Sequence, residues 1–298
     1  MSLFSLLGRS SGRFYSKVFV SYFLLPALLA ATVIAVAVTA TACAGEGGEG
    51  GPPPETIPPD QVKDTLHIRV SARHTIRTLD VFVYADRPTR PLESHVRVEG
   101  SEVPGIISAR GDRIVAAVAN SPAEFNLEAL RYFDSIELLS MDYRDEDPAA
   151  PLMSGVQACA GDTADLALTP LLCPILLVSV ENCLSSPAED AHVTLRQVNS
   201  RAEVFRSDGF RPTETVDTPQ ETAHPEMMTA RLPVDIGCYA QYPGLTLYAY
   251  PNDCDAVPGI PQTELVFDYS MDGMRRSIVV PVHPLRRGET TSVQLRIK

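Results

Sequence analysis

The sequence predicts an all-β chain with minor α content: two tandem β-sandwich domains behind an export signal and a flexible tether. Three observations predict it. Past the first sixty residues, apolar side chains alternate with period two over most of the chain, the spacing of strands with one buried face. The 25 prolines interrupt any long helix. Asp272-Gly273 stands between two apolar runs, and both residue types tolerate the positive φ of a tight hairpin turn. The domains read as a signal over 1–42, a lipidated Cys43 with its tether over 43–62, a first sandwich over 63–155 and a second over 156–298.

In Leu66-His67-Ile68-Arg69-Val70-Ser71 the apolar residues share one face. Leu79, Val81, Val83 and Ala85 repeat the pattern, with Asp80, Phe82 and Tyr84 opposite. Residues 113–119 are apolar on both faces and read as a central strand. Ser121-Pro122-Ala123-Glu124 has the form of a capping box with proline at the first helical position. It predicts a helix that buries Phe125, Leu130 and Phe133. The acidic run 142–147, then Pro148 and Pro151, closes the half.

The second half is similar in kind. Residues 165–168 form a short strand, and 175–180 are strongly apolar, with Pro174 at the start where a missing donor is tolerated. Residues 192–198 alternate again, 207–225 read as a long polar loop, and 227–234 as a weak strand. Strands follow over 245–250, over 265–269 and 278–282 around the Asp272-Gly273 turn, and over 291–297, which buries Val293, Leu295 and Ile297.

The first 42 residues hold Arg9, Arg13 and Lys17 and no acid. An uncharged run of 25 residues, 18–42, follows the basic stretch and ends Ala40-Thr41-Ala42-Cys43. Small residues before a cysteine, after an apolar run, are what a lipoprotein signal peptidase accepts, so Cys43 is the expected lipidation site. The run is also long enough to span a bilayer, so an uncleaved anchor is the alternative. Residues 44–60 are Gly, Glu and Pro with almost nothing apolar, a tether composition. The part after residue 42 carries 37 acids against 22 bases, a net −15, which repels nucleic acid.

Five further cysteines follow, Cys159, Cys173, Cys183, Cys238 and Cys254. An exported chain permits disulfides, and Cys238 with Cys254 is the favoured pair; buried free thiols are the alternative. No C-x-x-C, G-x-S-x-G, H-E-x-x-H, P-loop or dinucleotide fingerprint occurs. No enzyme activity, cofactor or metal is therefore expected. Six histidines are scattered singly, with His67 and His192 in polar slots of alternating strands. Asp142, Asp145, Glu146 and Asp147 offer hard oxygens for calcium or form a solvated acidic loop. Tyr239, Tyr242, Tyr248 and Tyr250 make a sugar-stacking surface or pack across a sheet.

Five segments carry a resemblance. Thr78-Leu79-Asp80-Val81-Phe82-Val83-Tyr84 resembles the second strand of fimbrillin-like proteins, the subunits of type V pili. Residues 114–122, ending Val118-Ala119-Asn120-Ser121-Pro122, are similar to their central strand running into a helix. Pro151-Leu152-Met153-Ser154-Gly155 resembles the close of their first domain, Leu168-Thr169-Pro170-Leu171-Leu172 the opening of their second, and Tyr248-Ala249-Tyr250-Pro251-Asn252 a late strand and turn.

The resemblance implies two transthyretin-like sandwiches, an acylated precursor, and polymerisation by strand exchange. A protease cuts at a basic residue, the first strand leaves, and the groove accepts a strand of another subunit by β-augmentation. Residues 66–71 are the counterpart of that first strand. Arg73 and Arg77 in the loop after it are the candidate cleavage residues, or simply exposed loop arginines. Stalk subunits carry a C-terminal extension to donate, whereas this chain ends at Lys298 directly after a strand its own second domain needs. The resemblance therefore implies a minor subunit, either the membrane anchor or a tip or regulatory component, with the tether favouring an anchor that is lipid-anchored on the outer membrane and faces the cell surface. Its partners would be fimbrial stalk or accessory subunits and the membrane, with no nucleic acid. The competing expectation is a surface lipoprotein that binds glycan or host protein.

Overall fold

Period-two alternation becomes strand wherever a second layer is present to cover the apolar face. The computed structural model describes residues 63–109, 111–206, 214–252 and 261–298; the signal segment, Cys43, the tether and Cys254 lie outside them. The first half contains β1 (Lys63–Ser71), β2 (Thr78–Ala85), β3 (Leu92–Glu99), β4 (Ile106–Ala109), β5 (Arg113–Ala119), a short helix α1 (Phe133–Glu137), β6 (Ser140–Asp142), β7 (Met153–Cys159), β8 (Thr163–Ala167) and β9 (Thr169–Pro170). The second contains β10 (Cys173–Asn182), β11 (Glu189–Arg196), β12 (Val198–Asn199), β13 (Arg201–Glu203), β14 (Thr215–Val216), β15 (Thr229–Arg231), β16 (Gln241–Ala249), β17 (Glu264–Met271), β18 (Met274–Pro281) and β19 (Thr291–Ile297). The protein is all-β, as the alternation predicts.

In the first half a five-stranded sheet, order β3-β2-β5-β7-β9, faces a three-stranded one, order β4-β1-β8. Leu79, Val81 and Val83 of β2 meet Leu66 and Ile68 of β1 and Leu166 of β8 in one core. The opposite parity of β2, with Phe82 and Tyr84, packs on Phe133 and Ile136 of α1, which is why β2 and β5 are buried on both faces. In the second half the sheet β16-β10-β19 faces β15-β11-β17-β18. Ile175, Leu177 and Leu295 from one meet Leu195, Leu265 and Phe267 from the other. The Asp272-Gly273 turn joins β17 to β18 with φ of 52° and 73°, as a hairpin of this type requires.

Three expectations change. The helix after Ser121 does not form. The Ser121 hydroxyl donates to the Ala123 carbonyl at 2.7 Å, and the Asn126 side chain accepts from Glu128 N at 3.1 Å and Ala129 N at 3.4 Å. These local side-chain bonds compete with a helix, leaving a turn and only the five residues of α1. Leu130 and Phe133 are nonetheless buried, and Phe125 packs against the same core. Second, the expected boundary at 155/156 falls inside β7, which pairs along its length with β5; β8 and β9 pair with β1 and β7. First-half pairing thus extends to Pro170. Third, β6 belongs with the second half, since Ser140–Asp142 pairs with β13.

β19 pairs in parallel with β10 from Ile175↔Thr291 to Asn182↔Ile297 and buries Val293, Leu295 and Ile297. Leu295→Ala should lower the unfolding free energy by about 2–4 kcal/mol. Gln294→Ala, on the exposed face, should change it by about 0.5 kcal/mol or less. Urea titration of both variants checks the pair.

Candidate strand-acceptor site

Among the elements, β1 has the most unusual bonding. Its first part, Lys63 to Leu66, pairs antiparallel with β4; its second, His67 to Ser71, pairs parallel with β8. Among the described residues β4 and β8 have no other ladder partner. His67 N also donates to the Asp162 carbonyl at 2.7 Å, and Leu168 N donates to the Ser71 carbonyl at 2.8 Å. Leu66 and Ile68 point into the core, while His67 and Arg69 face solvent. Removing β1 would therefore open two strand edges at once and uncover the inner faces of β2 and β5. The outer ion pair Arg69–Asp165, 3.7 Å between exposed groups, adds little.

The loop after β1 holds both candidate cleavage residues, and the structure separates them. Arg73 and its neighbour His74 are exposed in a bend. Arg77 is tied down. Its N donates to Asn120 Oδ1 at 2.8 Å, its carbonyl accepts from Gly100 N at 2.9 Å, and its guanidinium meets Asp147 at 2.7 Å. Asn120, at φ 60°, also donates from Nδ2 to the Thr75 and Pro151 carbonyls at 2.9 and 3.0 Å. A protease must draw several residues of backbone into its cleft, and the Asn120 amide ties residues 75–77 to the end of β5. Arg73 lies outside the clamp.

Arg77 and Asn120 also line a cavity of about 230 Å³ with Asp142, Asp147, Glu146 and Tyr250. Glu146 is buried; it accepts from Tyr250 Oη at 3.0 Å and Leu152 N at 3.2 Å. Tyr250 stacks edge-on against Tyr143 at 5.2 Å, and Tyr143 Oη donates to the Tyr248 carbonyl at 2.7 Å. This knot joins the segment between β6 and β7 to the end of β16. Asp142 accepts from Arg144 N at 3.0 Å, and Asp147 from Ala149 N at 2.8 Å. Three of the four acids considered for calcium, Asp142, Glu146 and Asp147, are thus engaged in internal bonds while Asp145 is exposed, and among the described residues no group of three or more potential ligands is placed to hold a metal.

The four tyrosines do not share a surface: Tyr250 is buried, Tyr242 and Tyr248 pack partly against the core, and Tyr239 is exposed in a turn. Cys238 is exposed, with Sγ 2.9 Å from the Ser185 carbonyl; Cys254, its expected partner, lies outside the described residues. Cys159 and Cys173 are buried, and burial pushes the Cys173 thiol up to about 12. That is the opposite of an activated nucleophile.

Burial pushes the Glu146 carboxyl from 4.5 up to about 7, against its hydrogen bonds from Leu152 and Tyr250. A raised carboxyl stabilises the fold fully below its unfolded value and loses that contribution as pH rises through the folded one. Stability should therefore fall by about 3 kcal/mol between about pH 5 and 8 from this group. Glu146→Gln should flatten the slope in denaturation measured across that range; an unchanged slope contradicts the assignment.

No protein-family model and no curated protein matches the chain in sequence. Solved structures do match it in fold. A fimbrilin from Porphyromonas gingivalis W83 superposes with a TM-score of 0.53 at 14% identity, covering 73% of this chain and 80% of that one. A fimbrial assembly protein from Parabacteroides distasonis ATCC 8503 gives 0.51 at 13% identity, covering 78% and 92%. A candidate cell adhesion protein from Bacteroides eggerthii DSM 20697 gives 0.54 at 14%, covering 82% and 89%. At these identities the likeness establishes the fold: this chain shares the architecture of these three proteins.

Proposed function

We propose that this chain is a structural component of a cell-surface fimbrium, a lipid-anchored minor or anchor subunit that assembles by β-strand exchange in its first half. The observation that carries the reading is the position of β1: it is the ladder partner of both β4 and β8, and the exposed Arg73 follows it directly. Cutting after Arg73 would separate the anchor from the body, because Cys43, the tether and β1 all precede the cut. The uncut chain is then held to the outer membrane through β1. The cut chain can exchange β1 for a strand of a neighbouring subunit, with backbone bonds supplying affinity and alternate side chains supplying register.

The same reasoning makes the second half a poor donor. β19 buries three side chains and pairs with β10 over its length. Each such side chain contributes about 1.5–3 kcal/mol of burial, against a typical domain stability of about 5–15 kcal/mol.

Mass spectrometry of separated fractions tests the proposal. The membrane fraction should yield an N-terminal peptide that begins at an acylated Cys43, and the fimbrial fraction should yield chains that begin at His74. Arg73→Ala should retain the protein in the membrane fraction, and Arg77→Ala should not. A peptide running unbroken through Arg73 in both fractions, or an intact peptide joining Val38 to Glu46, contradicts it.

A further inference from the structure

Arg287 lies in the loop before β19, yet its half-buried side chain reaches the carbonyls of β7 and β9 in the first half. Its Nε donates to the Pro170 carbonyl at 3.4 Å, and Nη1 donates to the Val204 carbonyl at 2.5 Å. Nη2 donates to the carbonyls of Ser154 at 3.0 Å and Thr169 at 2.6 Å, and to Ser154 Oγ at 2.7 Å. The buried Ser154 hydroxyl in turn donates to the Val204 carbonyl. Burial pulls the guanidinium down to about 10, so it stays charged at neutral pH. A cation held by carbonyls and one hydroxyl is a strong fastening, since bonds from a charged donor are roughly twice as strong as neutral ones. Gly288 presses the same loop onto β9. At φ +75° it sits where a Cβ would come within 2.7 Å of Thr169 Cγ2.

What is fastened is a weak element. β9 has two residues, pairs with β7 through Met153↔Pro170 and Ser154↔Thr169, and includes a proline without an N–H. It follows β8 with only Leu168 between, and β8 has β1 as its ladder partner. When β1 leaves, β8 loses that ladder together with the Leu168 N to Ser71 bond. Its N-terminal end remains joined to β7 through the turn where Cys159 Sγ meets the Thr163 carbonyl at 3.0 Å. Its C-terminal end remains joined through β9.

We infer that Arg287 is a positioning residue for the acceptor slot, holding β9 and the adjoining end of β8 in register while no strand occupies the place of β1. The inference rests on the strand-exchange reading and adds to it a residue from the opposite half of the chain. The arrangement preorganises the slot, so that an arriving strand does not have to order β8 as it binds.

The test uses the full chain cut once after Arg73 by an arginine-specific protease, washed free of the released segment, and titrated with a fluorescent peptide of residues 63–71. Wild-type protein should bind one peptide per chain. Arg287→Met should bind it at least about tenfold more weakly, a difference of about 1.4 kcal/mol, and Arg287→Lys and Ser154→Ala should fall between. In the strand-free state, amides of residues 164–168 should exchange with deuterium faster in the variants than in wild type, with β10 and β16 unchanged. If Arg287→Met fails to fold, the other two variants decide. Variants that bind within twofold of wild type overturn the role of Arg287 and leave strand exchange standing. Wild-type protein that does not rebind the peptide overturns both.

Discussion

The first half depends on one strand that is bonded on two sides to partners that, among the described residues, have no other ladder. β1 gives β4 an antiparallel edge and β8 a parallel one, and its Leu66 and Ile68 close the core beneath. A strand at the rim of a sheet could leave at the loss of one ladder. Loss of β1 leaves two unpaired edges and an open apolar face, the combination most prone to pair with another chain. Under the proposed function that hazard becomes the means of assembly, and the position of β1 between anchor and body makes one cleavage both a release and an activation.

Under the proposed function the place of β1 is emptied and refilled, which needs walls that do not collapse, and polar bonds tie the neighbouring segments in place. Asn120 pins residues 75–77 from the β5 end. The Glu146–Tyr250 pair fixes the segment between β6 and β7 against β16. Arg287 fastens β9 from the loop before β19. Each reaches a long way along the chain, and the Glu146–Tyr250 bond satisfies buried groups that would be costly to leave unpaired. β6 pairing with β13 and β8 with β1 interleave the two halves further, and the described residues cluster as one compact unit.

The strands that were legible in the sequence are those whose alternation is complete. β2, β5, β19 and the β17–β18 hairpin appear where Leu79 to Ala85, Arg113 to Ala119, Val293 to Ile297 and Asp272-Gly273 place them. β3 was not legible. It is an edge strand whose Leu92, Val96 and Val98 are separated by Glu93, Ser94, His95 and Arg97, so half-burial leaves no clean period. β4 is four residues long and β6 three, below the length at which a period can be read. The boundary at 155/156 was misplaced because the acids and prolines of 142–151 look like a linker. Within that run Tyr143 and Glu146 are buried against Tyr250. Of the candidate site, β1 with Arg73 and Arg77 in the loop after it was singled out from local pattern and family resemblance. Asn120 and Arg287 were not, because their roles rest on contacts 43 and 133 residues away, and no local periodicity encodes those.

Under the proposed function the place of β1 receives a strand from another subunit and β19 stays with its own sheet. Photo-crosslinking in cells from two positions tests this directly, with one probe at Asp165 on the exposed face of β8 and another at Gln294 on the exposed face of β19. The account predicts that the Asp165 probe captures a fimbrial partner, that Arg73→Ala abolishes the capture, and that the Gln294 probe captures none. A partner crosslinked only through Gln294 would make the second half the point of exchange and contradict the account.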